Sequence, residues 1–153
     1  MSAEAKLKEL GIVLPDVPAP VANYVPFRLH RDTLYLSGQG PRQPGGGYST
    51  GLVGKDVDIA RAYQDARTVG LGLLAVARRA LGSLDRVDYV VKLLGMVNGA
   101  PGFGDQPKVI NGCSDLLVEV FGDAGRHARS AVGMGSLPNN MTVEIEAILA
   151  VKP

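Results

Sequence analysis

The chain has 153 residues, 46% of them hydrophobic and 20% charged, which suits one packed domain and excludes a disordered chain. Sixteen basic and fifteen acidic side chains leave a net charge of +1, so composition supplies no broad positive field for a nucleic-acid backbone. One cysteine, Cys113, and two histidines are too few for an internal disulfide or a zinc site of ordinary composition.

The N-terminal stretch places Glu4, Lys6, Lys8 and Glu9 among leucines and so is not a secretory signal. Residues 3–10 suit a short amphipathic helix ending at Gly11. Pro15, Pro18 and Pro20 then stiffen a connector that cannot form regular structure. Tyr24 to Leu29 and Thr33 to Ser37 read as strands joined by a hairpin turn at Arg31-Asp32. Gly40 to Gly54, rich in glycine and carrying Pro41 and Pro44, reads as a long, mobile surface loop.

Ile59, Tyr63, Ala66, Gly70, Leu73, Ala77 and Ala80 recur at steps of four and three, which predicts a helix from about Asp58 to Leu81, capped by Asp56 or Asp58 and ended by Gly82. Its longest uncharged apolar run, Thr68 to Ala77, is far too short to span a membrane. Arg86 to Val97 is apolar and β-branched and predicts a central strand. Asp105 and Pro107 open a second helix, whose apolar spacing from Val109 to Phe121 stops at Gly122. Ala128 to Gly135 and Thr142 to Val151 predict two final strands around a turn at residues 137–140. In the last strand Val143, Ile145, Ala147, Leu149 and Val151 share one face, and Glu144 and Glu146 the other. The expected fold is α+β, ordered ββαβαββ, with helices on one face of a mixed sheet. It is expected to form a single domain over 1–153, with 1–20 as an N-terminal extension. A sheet covered on one side needs a partner on the other, which points to an oligomer. The expected location is the cytoplasm, with no membrane association, metal or organic cofactor.

Arg129 stands in a predicted strand between small neighbours, Ala128, Ser130 and Ala131, where its side chain could reach a cleft. A guanidinium fork matches a carboxylate at two points; the same spacing also suits a structural pair with Glu144 or Glu146. Glu144 lies on the polar face of the last strand, which is expected to pair with the Arg129 strand. A carboxylate there could order a water as general base, or it could be a solvated edge residue. Arg126 and His127 read as exposed basic residues of a helix-exit loop, and Cys113 as packing on an apolar helix face. Gly45-Gly46-Gly47 lacks the Gly-Lys-Ser/Thr ending of a phosphate loop, since Gly54-Lys55 is followed by Asp56.

The stretch HARSAVGMGSLPNNMTVEIEAILAV resembles the C-terminal signature of the reactive-intermediate deaminase family, RidA/YjgF. There an Ala-Arg-Ser strand leads through Leu-Pro to an Ile/Val-Glu-Ile-Glu-Ala strand. LYLSGQGP at 34–41, Asn23-Tyr24-Val25 and Val109-Ile110-Asn111 resemble further segments of that family, and the likeness runs from about residue 20 to the end. It implies a chorismate-mutase-like fold, a homotrimer with clefts between subunits, and hydrolysis of reactive enamines and imines to 2-oxo acids and ammonia. Carried over, Arg129 binds the carboxylate of a small 2-imino or 2-oxo acid and Glu144 positions the attacking water. Ser37, Gly38 and Ala131 line the pocket, while Tyr24 and Asn111 help enclose the ligand. Ala131 stands where the deaminating branch commonly has cysteine, and Gly133 where it has an acidic residue. The chain is also longer, like the branch often labelled endoribonuclease L-PSP or translation inhibitor. Two competing readings follow: an endoribonuclease using the Arg126-His127-Arg129 cluster, although nucleic acid suits the charge balance poorly, and a non-catalytic carboxylate sensor.

Overall fold

A computed structural model describes residues 2–19 and 22–153; Pro20 of the connector lies outside them. The predicted apolar stripe forms helix α2, Ile59–Leu81. Asp58 caps its start by accepting a hydrogen bond from the Arg61 amide at 2.8 Å, and Gly82 ends it in the left-handed region at φ +80°. Helix α3 spans Gln106–Phe121, with Pro107 in its first turn, where a missing N–H costs nothing. A shorter helix, α1 (Ala3–Glu9), precedes them and buries Ala3 and Leu7 in the core. Glu4 fixes its position by accepting from both the Arg78 guanidinium and the Leu84 amide.

The strands are β1 (Phe27–His30), β2 (Thr33–Gln39), β3 (Val87–Val97), β4 (Ala128–Gly133) and β5 (Val143–Val151). They form one five-stranded sheet in the order β1-β2-β5-β3-β4. Every pairing is antiparallel except β3 with β4, and a parallel pair requires a crossover; α3 supplies it. Leu34, Leu36, Val90, Leu93, Val143, Ile145 and Leu149 are buried with the α2 and α3 apolar faces in one core. The fold is therefore α+β with helices on one face of a mixed sheet, as the periodicities predict. The opposite face carries Tyr35 and Tyr89, which are 45% and 49% exposed. By register Leu94, Met96 and Ile148 share that face.

Three expectations are corrected. The last strand does not lie beside the Arg129 strand: β5 sits between β2 and β3, and β4 is the sheet edge beyond β3. One side of β3 is occupied by β5 along most of its length, so β4 takes the other. The first strand begins at Phe27 rather than Tyr24; Pro26 has no N–H to extend the ladder, and its carbonyl instead accepts from the Ser37 amide. Third, the Gly40–Gly54 segment is a fastened wall. Its backbone bonds to Asn98 and Asn140, and Ser49 and Val53 are buried. Buried Asp65 of α2 accepts from Ser49 and from Thr142, each at 2.7 Å, with Arg61 at 3.5 Å. No helix among the described residues is long and apolar enough to cross a membrane.

Helices α2 and α3 meet closely at Gly112, where an added Cβ would overlap the Tyr63 carbonyl. Gly112→Ala must push one helix backbone off the other. It should cost about 3 kcal/mol of stability in urea unfolding, whereas Gly72→Ala, whose Cβ would meet nothing within 4 Å, should be neutral or stabilising.

Candidate functional site

The predicted site residues fall into two groups on opposite faces of the sheet. Arg129 pairs in register with Leu93, a core residue, so its side chain leaves β4 on the helix side and meets α3. There its Nη1 donates to Asn111 Oδ1 at 2.8 Å and to Ser114 Oγ at 3.1 Å. No carboxylate pairs with Arg129 among the described residues, so the structural pair with Glu144 or Glu146 is not formed. Ala131, on the same face two residues on, packs against the core. A Cβ at Gly133 would approach Gln106 Nε2 to 2.9 Å, so a larger side chain there would displace Gln106 from its bond to the Phe103 carbonyl.

Ser114 and His127 join this group: motif reasoning missed Ser114 and read His127 as an exposed loop residue, whereas it is partly buried and bonded to Ser114 of α3. His127 Nδ1 lies 2.7 Å from the Gly125 carbonyl, which only accepts, so Nδ1 carries the proton. In the neutral ring Nε2 is then the acceptor, and Ser114 donates to it at 3.0 Å. A chain of hydrogen bonds thus runs from Arg129 through Ser114 to His127 and the Gly125 backbone, holding the guanidinium from behind. The signals were present in the sequence. Ser114 is one helical turn from Asn111, and His127 lies two residues before Arg129, so in extended backbone it projects to the same side.

Glu144 occupies the other group. It is half-buried on the face of β5 turned away from the helices, and Gly38 approaches it so closely that a Cβ there would lie 2.8 Å from Glu144 Oε1. A register shift between Leu36 and Gln39 marks a bulge that turns Gly38 toward this carboxylate. Tyr24 and Gly38 line the same cavity of about 290 Å³ as Glu144. Arg42, Tyr48, Asn139 and Met141 are also in its wall; Arg42 and Tyr48 come from the loop that the sequence left without a role. Ser37 faces an adjoining hollow with Tyr24 and Glu146, its hydroxyl donating to the Val25 carbonyl at 2.7 Å. Burial, reinforced by the nearby Glu146 carboxylate, raises the Glu144 carboxyl above its ordinary value.

Within one chain the structure gathers Arg129 with Asn111 and Ala131, and Glu144 with Tyr24 and Gly38. It does not bring the two groups together. Cys113 is fully buried beneath α2, and burial pushes its thiol up to about 12, which leaves no nucleophilic thiolate at neutral pH.

Burial lowers the His127 pKa, helped by the Arg129 cation and opposed by the Gly125 carbonyl. The fold therefore favours the neutral ring. The stability this confers is present above the unfolded value, about 6.5, and is lost as pH falls through the folded value. Acidification below about pH 6.5 should lower the thermal midpoint of the wild-type protein more steeply than that of His127→Gln. Parallel slopes would show that His127 titrates as a free imidazole.

Residues 4–148 match the family described as "YjgF/chorismate mutase-like, putative endoribonuclease", so all of α1 but Ala3 falls within the matched region. Protein TCP17 of Trypanosoma cruzi is 43% identical over 146 residues, covering 95% of this chain and 91% of its own length. The crystal structure of Atu1372 from Agrobacterium tumefaciens, a protein of unknown function, is 47% identical with a TM-score of 0.88, covering 99% of this chain and 92% of that one. A putative endoribonuclease from Shewanella oneidensis MR-1 is 31% identical with a TM-score of 0.93, covering 99% and 100%. With its C-terminal signature, its sheet order and a family match over nearly its whole length, the chain belongs to the YjgF/RidA family.

Proposed function

We propose that this protein hydrolyses reactive 2-imino and enamine acids to 2-oxo acids and ammonia, in clefts shared between the subunits of a homotrimer. The observation that carries the proposal is Arg129: a guanidinium braced by Asn111 and Ser114, with no carboxylate of its own among the described residues. Such a group is prepared to receive the carboxylate of a ligand. Glu144 lies on the opposite sheet face, so a neighbouring copy has to supply the second half of the site. The exposed aromatic residues of that face, Tyr35 and Tyr89, favour burial between subunits.

In the reaction Arg129 forks onto the substrate carboxylate and fixes the imine carbon. Glu144 accepts a proton from water as the oxygen adds to that carbon. Glu144 returns that proton to the nitrogen, giving the carbinolamine; it then takes the hydroxyl proton and passes it to the nitrogen as the C–N bond breaks, so that the C=O of the 2-oxo acid forms and ammonia leaves. A carboxyl whose pKa is raised by burial and the neighbouring Glu146 is a better proton acceptor than an ordinary carboxylate, which suits this shuttle.

Arg129→Ala should lose roughly 2–5 kcal/mol of affinity for 2-oxobutanoate in calorimetry. Arg129→Lys should recover little, since an ammonium lacks the planar fork. Glu144→Gln should bind the acid nearly as well and hydrolyse 2-iminobutanoate about 10²-fold more slowly. A wild-type protein that binds the acid without accelerating imine decay would be a sensor.

Mixing the two defects tests the shared cleft. Refolding Arg129→Ala and Glu144→Gln chains together should restore about one quarter of wild-type activity, the fraction of heterologous contacts that join an intact arginine to an intact glutamate. A site closed within one chain would restore none, and sedimentation equilibrium should give a species three times the 16.0 kDa chain mass.

A further inference from the structure

The cavity beside Glu144 has a second cation on its wall. Arg42 enters it from the 40–54 loop, its guanidinium carbon 5.4 Å from the centroid of the Tyr48 ring, and both residues line the cavity. Stacking on an aromatic face orders a guanidinium while leaving the donors along its edge free for a planar anion. No carboxylate pairs with Arg42 among the described residues.

This wall is built rather than incidental. Arg42 and Tyr48 bridge each other across the loop, and the neighbouring Ser49 is anchored to buried Asp65. Gly40 lets the wall close, because an added Cβ would overlap Met141 and press on the Tyr48 ring. The cavity, of about 290 Å³, corresponds to about ten water-sized volumes, more than a short alkyl side chain fills. Because Glu144 repels a second anion, an acidic group on the ligand must lie at the Arg42 side.

We propose that Arg42, stacked on Tyr48, reads an acidic side chain on the substrate, so that the enzyme acts on dicarboxylic 2-imino acids and releases dicarboxylic 2-oxo acids. This rests on the reading above, in which Arg129 of one subunit holds the carboxylate beside the reacting carbon. Arg42 then sets which acid is chosen.

Calorimetric titration with 2-oxobutanoate and 2-oxopentanedioate tests the assignment. The wild-type protein should bind the dicarboxylate at least about tenfold more tightly. The affinity ratio should collapse toward one in Arg42→Gln and recover in part in Arg42→Lys. Since Arg42 is exposed, both variants should fold, and unchanged melting would verify that. A wild-type ratio near one, or a tenfold ratio that survives Arg42→Gln, overturns the assignment. If both acids bind equally and Arg129→Ala loses both, only the role of Arg42 fails. Failure of the wild-type protein to bind either acid removes the carboxylate clamp and this inference together.

Discussion

Strand β3 runs parallel to β4, and the chain cannot make that pairing without carrying α3 across the sheet. Much of the site follows from this constraint. The crossover lays α3 over the helix-side face of β4, so Arg129 meets Asn111 and Ser114 instead of solvent. It also leaves β4 at the sheet edge, with β3 separating it from β5. The cation and the candidate base are thereby held on strands separated by β3, and the alternation of each strand puts them on opposite faces, which no rotamer change can undo.

Elements whose formation is dictated locally were legible in the sequence. The steps of four and three from Ile59 to Ala80 mark α2, and Asp58 and Gly82 mark its ends because each performs a backbone task that few residues perform well. The alternation from Val143 to Val151 sorts Glu144 and Glu146 away from the core for the same reason. The β1–β2 hairpin was legible from its turn, but the neighbours of the last two strands were not. Nothing local to Arg129 or Glu144 says that β3 stands between their strands, because pairing order is decided by the whole sheet. The 40–54 loop failed differently. Glycine and proline density describes backbone freedom, while the segment is held by contacts with Asp65, Asn98 and Asn140, distant in sequence and silent in composition.

The two groups differ in how their polar atoms are settled. Glu144 is held against Gly38, partly out of water and near a second carboxylate, an arrangement that disfavours its charged form. His127 shows the opposite economy: its lone ring donor and acceptor are both satisfied, by Gly125 and Ser114, so the arginine it supports is backed by a network with little freedom to rearrange. One group is rigid and satisfied, the other crowded and titratable. A binding clamp and a proton carrier have those differing needs.

Asp65 has a consequence for modularity. Its carboxylate grips Ser49 in the loop and Thr142 at the threshold of β5, two residues before Glu144. Loop and strand are thus tied through a third element, so the 40–54 segment is not a cassette. Transplanted alone onto a relative lacking Asp65 and Thr142, it would arrive without its moorings, and Arg42 and Tyr48 would have no fixed place beside Glu144. Any exchange of this wall between homologues has to move the helix residue, the strand residue and the loop as one inheritance.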